Sequence, residues 1–197
     1  MKIDIANFEL IPLQKGRYIK PWLARYVQDG EERSWEVLEA GDSVAVLIYH
    51  KKKDSFVLVR QFRPAVFMKN DDGITVELCA GLLDKDLSPE ETAVEEIEEE
   101  CGYCVEPESL FKIASFYTSV GFAGSRQTLF YTEVDESMKC GPGGGVEGEK
   151  IEIVEVPVRL AENIMRDDDI AKTPGLLFAI EWWFAHQGSL RSEIENP

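Results

Sequence analysis

The sequence predicts an α+β fold, a mixed β-sheet with helices packed on it and a β-rich arm ahead of it. Three observations carry that expectation. Six β-branched and aromatic runs, SVAVLIYH, SFVLVRQF, ITVELCA, LFKIASFYT, QTLFYTEV and IEIVEVPV, are bounded by Gly, Asp, Asn and Lys clusters, as strands are. One helix with well-marked ends stands between the third and fourth runs. The chain has 197 residues, 44% hydrophobic and 29% charged, enough for one sizeable core and too ordered in composition for a disordered or fibrous chain.

Residues 1–40 form the arm. Alternating patches at 17–27 and 33–38 flank Asp29-Gly30, a turn pair, so this part reads as a hairpin whose partner surface the sequence does not reveal. Residues 41–197 make up the main domain. Its helix opens at Ser88-Pro89-Glu90-Glu91, with a capping serine, proline at the first helical position and glutamate at the third, and Gly102 stops it. A shorter helix is expected at 160–165 and a longer one at 173–185, where LLFAIEWWFA is apolar enough to dock on the sheet. The stretch 138–148, MKCGPGGGVEG, reads as a mobile loop, either linker or lid. It lacks the Gly-Lys-Ser/Thr ending of a phosphate-cradling loop, so its glycines are taken as backbone freedom.

Charge narrows the function. With 21 Lys+Arg against 37 Asp+Glu the net charge is −16, which opposes nucleic acid and anionic membranes and requires a metal to bridge to any phosphorylated substrate. No stretch approaches 18 apolar residues and MKIDIANFELIPLQ lacks a signal-like apolar run, so a cytoplasmic protein is expected. Cys79, Cys101, Cys104 and Cys140 show no zinc-type spacing and are expected as reduced thiols. His50 and His186 are the sole histidines, and no G-x-S-x-G occurs, which disfavours nucleophilic triad chemistry.

Residues 90–100 carry seven glutamates and no Lys or Arg, with like charges four apart at Glu91/Glu95, Glu95/Glu99 and Glu96/Glu100. Each such pair costs a few tenths of a kcal/mol on a helix surface, roughly, so something should offset the repulsion. At about 100° per residue, Ala93, Val94, Ile97 and Cys101 share an apolar face, Glu96 and Glu100 lie together at its edge and Glu99 one step round. Carboxylates converging beside buried structure suit a hard cation, Mg²⁺ or Mn²⁺.

The stretch 81–103, GLLDKDLSPEETAVEEIEEECGY, resembles the Nudix box, G-x₅-E-x₇-R-E-U-x-E-E-x-G-U with U bulky and apolar. Gly81, Glu96, Ile97, Glu99, Glu100, Gly102 and Tyr103 fall in register, while Leu87 stands in place of a glutamate and Glu95 in place of the arginine. VRQFRPA, VELCAGLLD, SVGFAGSRQTLFYTEV, GEKIEIVEVP and Arg33-Ser34-Trp35-Glu36 are similar to the ADP-sugar and UDP-sugar diphosphatase branch.

The resemblance implies a Nudix-type mixed sheet and Mg²⁺-dependent hydrolysis of a nucleotide-sugar diphosphate, of UDP-glucose or ADP-ribose type, to a nucleoside monophosphate and a sugar phosphate. It implies metal ligation by Glu96, Glu99, Glu100 and the carbonyl of Ala80, with Glu100 favoured over Glu99. The general base is sought in the loop before the last strand, at Glu149 with Glu147 second. Arg63 would fork onto phosphate, Trp35 would stack on the base, and Arg126 and Gln127 would contact base or sugar. Glu77 is a supporting carboxylate. A homodimer, with arms exchanged between subunits, is also implied. The competing readings are a catalytically degenerate Nudix module that senses nucleotide-sugars, motivated by Leu87 and Glu95, and an acidic scaffold with no small-molecule site.

Overall fold

The structure, a computed structural model, describes residues 5–146 and 148–194, the last seven as backbone only. At Asp29 and Gly30 φ is 53° and 83°, so both central residues of the two-residue turn have positive φ, as a type I′ hairpin requires. The turn joins β1 (Ile19–Gln28) to β2 (Glu31–Ala40) in an antiparallel pair that forms a sheet of its own. The arm is a hairpin, as expected. It is exposed along almost its whole length, with Trp22 and Trp35 each 57% accessible.

The main sheet is built on β3 (Ser43–His50) and β4 (Ser55–Phe62). Val44 to Ile48 and Phe56 to Val59 are all buried, so these strands are covered on both faces, which explains their unbroken apolar runs. A short helix, α1 (Pro64–Asn70), follows, then β5 (Ile74–Glu77) and β6 (Cys79–Leu82). The run ITVELCA is therefore two strands. Val59 to Phe62 of β4 pair with β5, Ser43 to Val46 of β3 pair with β6, and the chain changes partner at Leu78. β3 and β4 themselves pair only over Ile48 to His50, so β5 and β6 fill the gap where they splay apart.

The acidic helix α2 (Pro89–Glu96) continues as a wider π-helical turn over Ile97–Cys101. β7 (Phe111–Tyr117), β8 (Arg126–Val134) and β9 (Ile151–Pro157) complete a seven-stranded mixed sheet in which β3 and β8 run parallel and β9 flanks β4. Two further helices close the chain, α3 (Val158–Arg166) and α4 (Pro174–Ile194), each longer than its apolar run. One face of the sheet packs Val44, Val46, Val57 and Phe130 against Ala93, Ile97 and Cys101 of the acidic helix. The other packs Leu47, Phe56, Leu58 and Tyr131 against Ala161, Leu176, Ile180 and Trp183.

Two expectations need correction or completion. Cys104 and Cys140 are joined in a disulfide, Cα atoms 5.8 Å apart, while Cys79 and Cys101 are buried thiols. A bridge across 36 residues leaves no local spacing from which to read it. Helix α1 was not expected. Its signals are modest: Pro64 in its first turn and Asp71 in the left-handed region, φ 58°, as its stop.

Candidate active site

The acidic helix is fixed at both ends by the residues that mark it in the sequence. Ser88 Oγ accepts from the Glu91 amide at 3.1 Å and a Glu91 carboxylate oxygen accepts from the Ser88 amide at 2.8 Å, a complete capping box. Gly102, φ 70°, ends the π-helical turn. Thr92, Ala93, Ile97 and Cys101 are buried, leaving Glu96 half-buried and Glu100 buried at the edge facing β6. That edge is where the apolar pattern placed them.

Glu100 is only 4% exposed, and one of its oxygens accepts from the Ala80 amide at 3.0 Å. Burial pushes its carboxyl up to about 8, with the charges of Glu96 and Glu149 adding to the rise and the Ala80 amide and Cys79 thiol opposing it. Burial likewise raises Glu96 to about 7, helped by Glu99, Glu149 and Glu95 and opposed by Lys85. Gly81 makes room for this pair, because a Cβ at position 81 would overlap the Glu96 carboxyl.

The substituted box position has a partner. Glu95 receives the Lys85 ammonium at 2.6 Å, and Glu95, then Glu99 and Glu96, hold Lys85 above its ordinary range. A loop lysine thus stands beside the acidic cluster where the box pattern has a helix arginine. Sequence reading missed Lys85, and the run of alternating charge in LDKD is a weak signal for it.

Arg63 caps α1 and sends its guanidinium back to Glu77 in two parallel hydrogen bonds, 2.8 and 2.7 Å. Glu77 is buried and is also held by the Thr75 hydroxyl. The Arg63 side chain remains 45% exposed, and its guanidinium senses Glu100 and Glu149 as well as Glu77. Glu77 is therefore a support for Arg63, and Thr75 is a further support that the sequence did not suggest.

The glycine-rich segment docks closely on the end of the acidic helix. The Gly144 and Gly145 amides donate to the carbonyls of Glu100 and Glu99 at 2.8 and 3.0 Å, and the Cys140 and Gly141 amides to Gly102 at 3.0 and 3.2 Å. These are the carbonyls a helix end leaves without partners. The glycines permit close approach here: a Cβ at Gly143 would lie 2.6 Å from the Glu100 carbonyl oxygen. The loop then delivers Glu149, whose carboxylate accepts from the Val146 amide at 3.3 Å. Glu147 lies outside the described residues.

The sheet brings these groups to one end. Val44 pairs with Gly81, Ser43 with Leu82 and Gln127, and Gln61 with Ile151, so the termini of β3, β4, β6, β8 and β9 meet there. Arg126 and Gln127 open β8 at the same end. The Arg126 guanidinium lies 5.8 Å from the Tyr117 ring centre, and Gln127 donates to Ser43 Oγ at 3.2 Å and approaches Gly175 of α4. Trp35 reaches in from the arm, its indole donating to the Gly121 carbonyl at 2.7 Å.

The donors suit a hard cation. Two carboxyls pushed up by burial and by neighbouring carboxylates would gain a counter-charge on binding one, and Gly81 leaves their cradle open. Among the described residues, the three ligand-type side chains with donor atoms all within 4.8 Å of one another are Glu98, Cys104 and Cys140. Two of those atoms are the bonded sulfurs, so that cluster is a disulfide with a neighbouring carboxylate. The carboxylate oxygens of Glu96, Glu99 and Glu100 do not all come within that distance of one another.

A sheet packed between helices, with an acidic helix against the glycine of β6 and an arginine just past the end of β4, defines a domain suited to divalent-cation chemistry on an anionic substrate. Residues 40–157 match the NUDIX domain model, and the chain belongs to the Nudix family. It is 39% identical to the uridine diphosphate glucose pyrophosphatase NUDT14 of Bos taurus, over 85% of this chain and 89% of that protein. It is 38% identical to the Mus musculus counterpart over the same shares. Against the GDP-mannose pyrophosphatase of Pectobacterium atrosepticum it is 42% identical, over 76% of this chain and 79% of that one.

Proposed function

We propose that this chain is a nucleotide-sugar diphosphatase that hydrolyses the P–O–P bridge of a UDP-glucose-type substrate. The observation that carries the reading is the meeting, at one end of the sheet, of buried Glu100 and half-buried Glu96 with Arg63 and the loop glutamate Glu149. Glu96, Glu100, Glu99 and the Ala80 carbonyl would hold Mg²⁺, or Mn²⁺ in its place. A cation held there would supply counter-charge to the diphosphate and lower the pKa of the attacking water. Arg63, kept in orientation by Glu77, clamps a phosphate through the edge of its guanidinium left free. Glu149 takes the proton from the attacking water, held in place by the loop that docks on the helix end. The products are a nucleoside monophosphate and a sugar 1-phosphate.

Trp35, Arg126 and Gln127 are proposed to read the base or sugar from the rim. Residues 1–40 act as an arm and 41–197 as the catalytic domain. The arm's exposed Trp22 and Tyr26 on one face of β1, and Leu23 and Val27 on the other, fit an arm embraced by a second copy, so a homodimer is proposed, to be checked by sedimentation. Among the described residues no helix is long and apolar enough to cross a membrane. A cytoplasmic setting belongs to the same proposal.

The test is release of nucleoside monophosphate from UDP-glucose, GDP-mannose and ADP-ribose, in Mg²⁺ and in EDTA. Mg²⁺-dependent product is expected, with UDP-glucose preferred. Glu95 at the arginine position of the box favours one rival, a sensor that binds nucleotide-sugars without turnover. Tight binding with no product from any of the three would establish it.

A further inference from the structure

Cys104 and Cys140 take no part in the chemistry proposed above, yet they join the two segments whose contact holds Glu149 in place. Cys104 follows Gly102, the stop of the acidic helix, and Cys140 opens the glycine-rich loop. Around the bridge the segments are already stitched together. The Cys104 amide donates to the Met138 carbonyl at 2.9 Å, the Cys140 amide to Gly102 at 3.0 Å, and Lys139 reaches the Cys101 carbonyl at 2.7 Å. The Lys139 ammonium also lies 4.5 Å from the centre of the Tyr103 ring. Just beyond Cys140, the Gly144 and Gly145 amides bind the carbonyls of Glu100 and Glu99, and the chain then reaches Glu149. Both bridged cysteines are exposed, whereas Cys79 and Cys101 are fully buried.

We propose that the Cys104–Cys140 disulfide is a redox-controlled clamp on the loop that carries Glu149. Closed, it fixes the loop's register on the end of the acidic helix. Opened, it leaves a glycine-rich segment attached by backbone hydrogen bonds and one lysine, and the loop lifts. The opening step is thiol–disulfide exchange with a dithiol reductant. A reductant thiolate attacks one exposed sulfur, the other leaves as a thiolate and takes up a proton, and the reductant's second thiol releases the first cysteine. Two electrons pass to the protein, two thiols form, and the reductant closes into its own disulfide. Bridges of this kind in reducing compartments are transient and regulatory, so the exposure of both sulfurs fits a switch. The effect on turnover rests on the reading of Glu149 above; the effect on the loop does not.

The experiment compares the full-length protein, oxidised and then treated with dithiothreitol, with a Cys104→Ser/Cys140→Ser double variant under both conditions. It reads turnover of UDP-glucose in Mg²⁺, amide hydrogen exchange at Gly144 and Gly145, and the number of alkylatable thiols. Reduction is expected to lower kcat several-fold, to speed exchange at both glycines and to lower Tm by about 5–10 °C. The double variant should match the reduced protein and ignore the reductant. Thiols released with unchanged exchange and kcat would overturn the clamp, as would finding all four thiols free in the oxidised protein. Absence of turnover in every state with reductant-dependent exchange would support the clamp while sinking the proposed activity.

Discussion

At the scale of single residues, Gly81 makes the sharpest claim on the site. A methyl group there would overlap the Glu96 carboxyl and its Cγ, so the Glu96 side chain must leave its present position to admit it. Gly81→Ala should cut Mg²⁺-dependent turnover by roughly 10²-fold or more and shrink the rise in Tm on adding Mg²⁺, with the fold retained. Turnover within about two-fold of the native protein would remove Glu96 from the cation site. Glu100→Gln tests the partner position with a different signature. The amide keeps the shape and can accept from Ala80, but it carries no charge to neutralise a cation. Turnover should fall by orders of magnitude while the Mg²⁺-free protein becomes more stable by about 1–3 kcal/mol near neutral pH. Equal stability with lost activity would mean that Glu100 is not strained by its burial.

At the scale of elements, the capping box is the clearest case of sequence dictating structure. Ser88→Ala removes the acceptor for the Glu91 amide and should cost about 1 kcal/mol, seen as a fall in Tm of roughly 2–4 °C. Its reach into catalysis should be small, because the carboxylates sit at the helix's other end. Gly143→Ala acts at that end, where its Cβ meets the Glu100 carbonyl; it should lift the loop, lowering kcat with little change in KM. A change in KM alone would place the loop's role in binding.

The same elements show what was legible. Strands buried on both faces betray themselves as unbroken apolar runs, and Ser88, Pro89, Glu91 and Gly102 mark helix ends by local hydrogen bonding. The switch of partner at Leu78 left no mark, since a strand that changes neighbours keeps its β-propensity throughout. The π-helical turn, the pairing of Lys85 with Glu95, the support of Arg63 by Thr75 and the disulfide are contacts that tertiary packing decides. The glycines of 138–148 pointed to a special backbone, but only the docked loop shows that they serve close approach as well as turning.

At the scale of the whole molecule, the site ties global stability to pH and to the cation. Glu96 and Glu100 titrate near 7 and 8 in the folded chain against about 4.5 when unfolded. Between pH 4.5 and 8 the folded state therefore keeps protons that the unfolded state has released, and stability must fall as pH rises through that window. Buried Glu100 contributes most, since half-buried Glu96 is better screened. In EDTA the loss from pH 5 to 8 should be on the order of 2–4 kcal/mol. On the proposed ligation, divalent cations would bind the deprotonated pair in the folded state alone, so their stabilisation should grow over the same interval and flatten the profile. This follows from a chain of net charge −16 that buries Glu100 and half-buries Glu96 at one end of the sheet, beside an arginine clamped by Glu77. Urea melts at pH 5.5, 6.5, 7.5 and 8.5, with EDTA and with Mg²⁺, decide it. A profile in EDTA that is flat or rises across this range would show that the carboxylates carry no such strain, and the electrostatic case for a cation between them would fail.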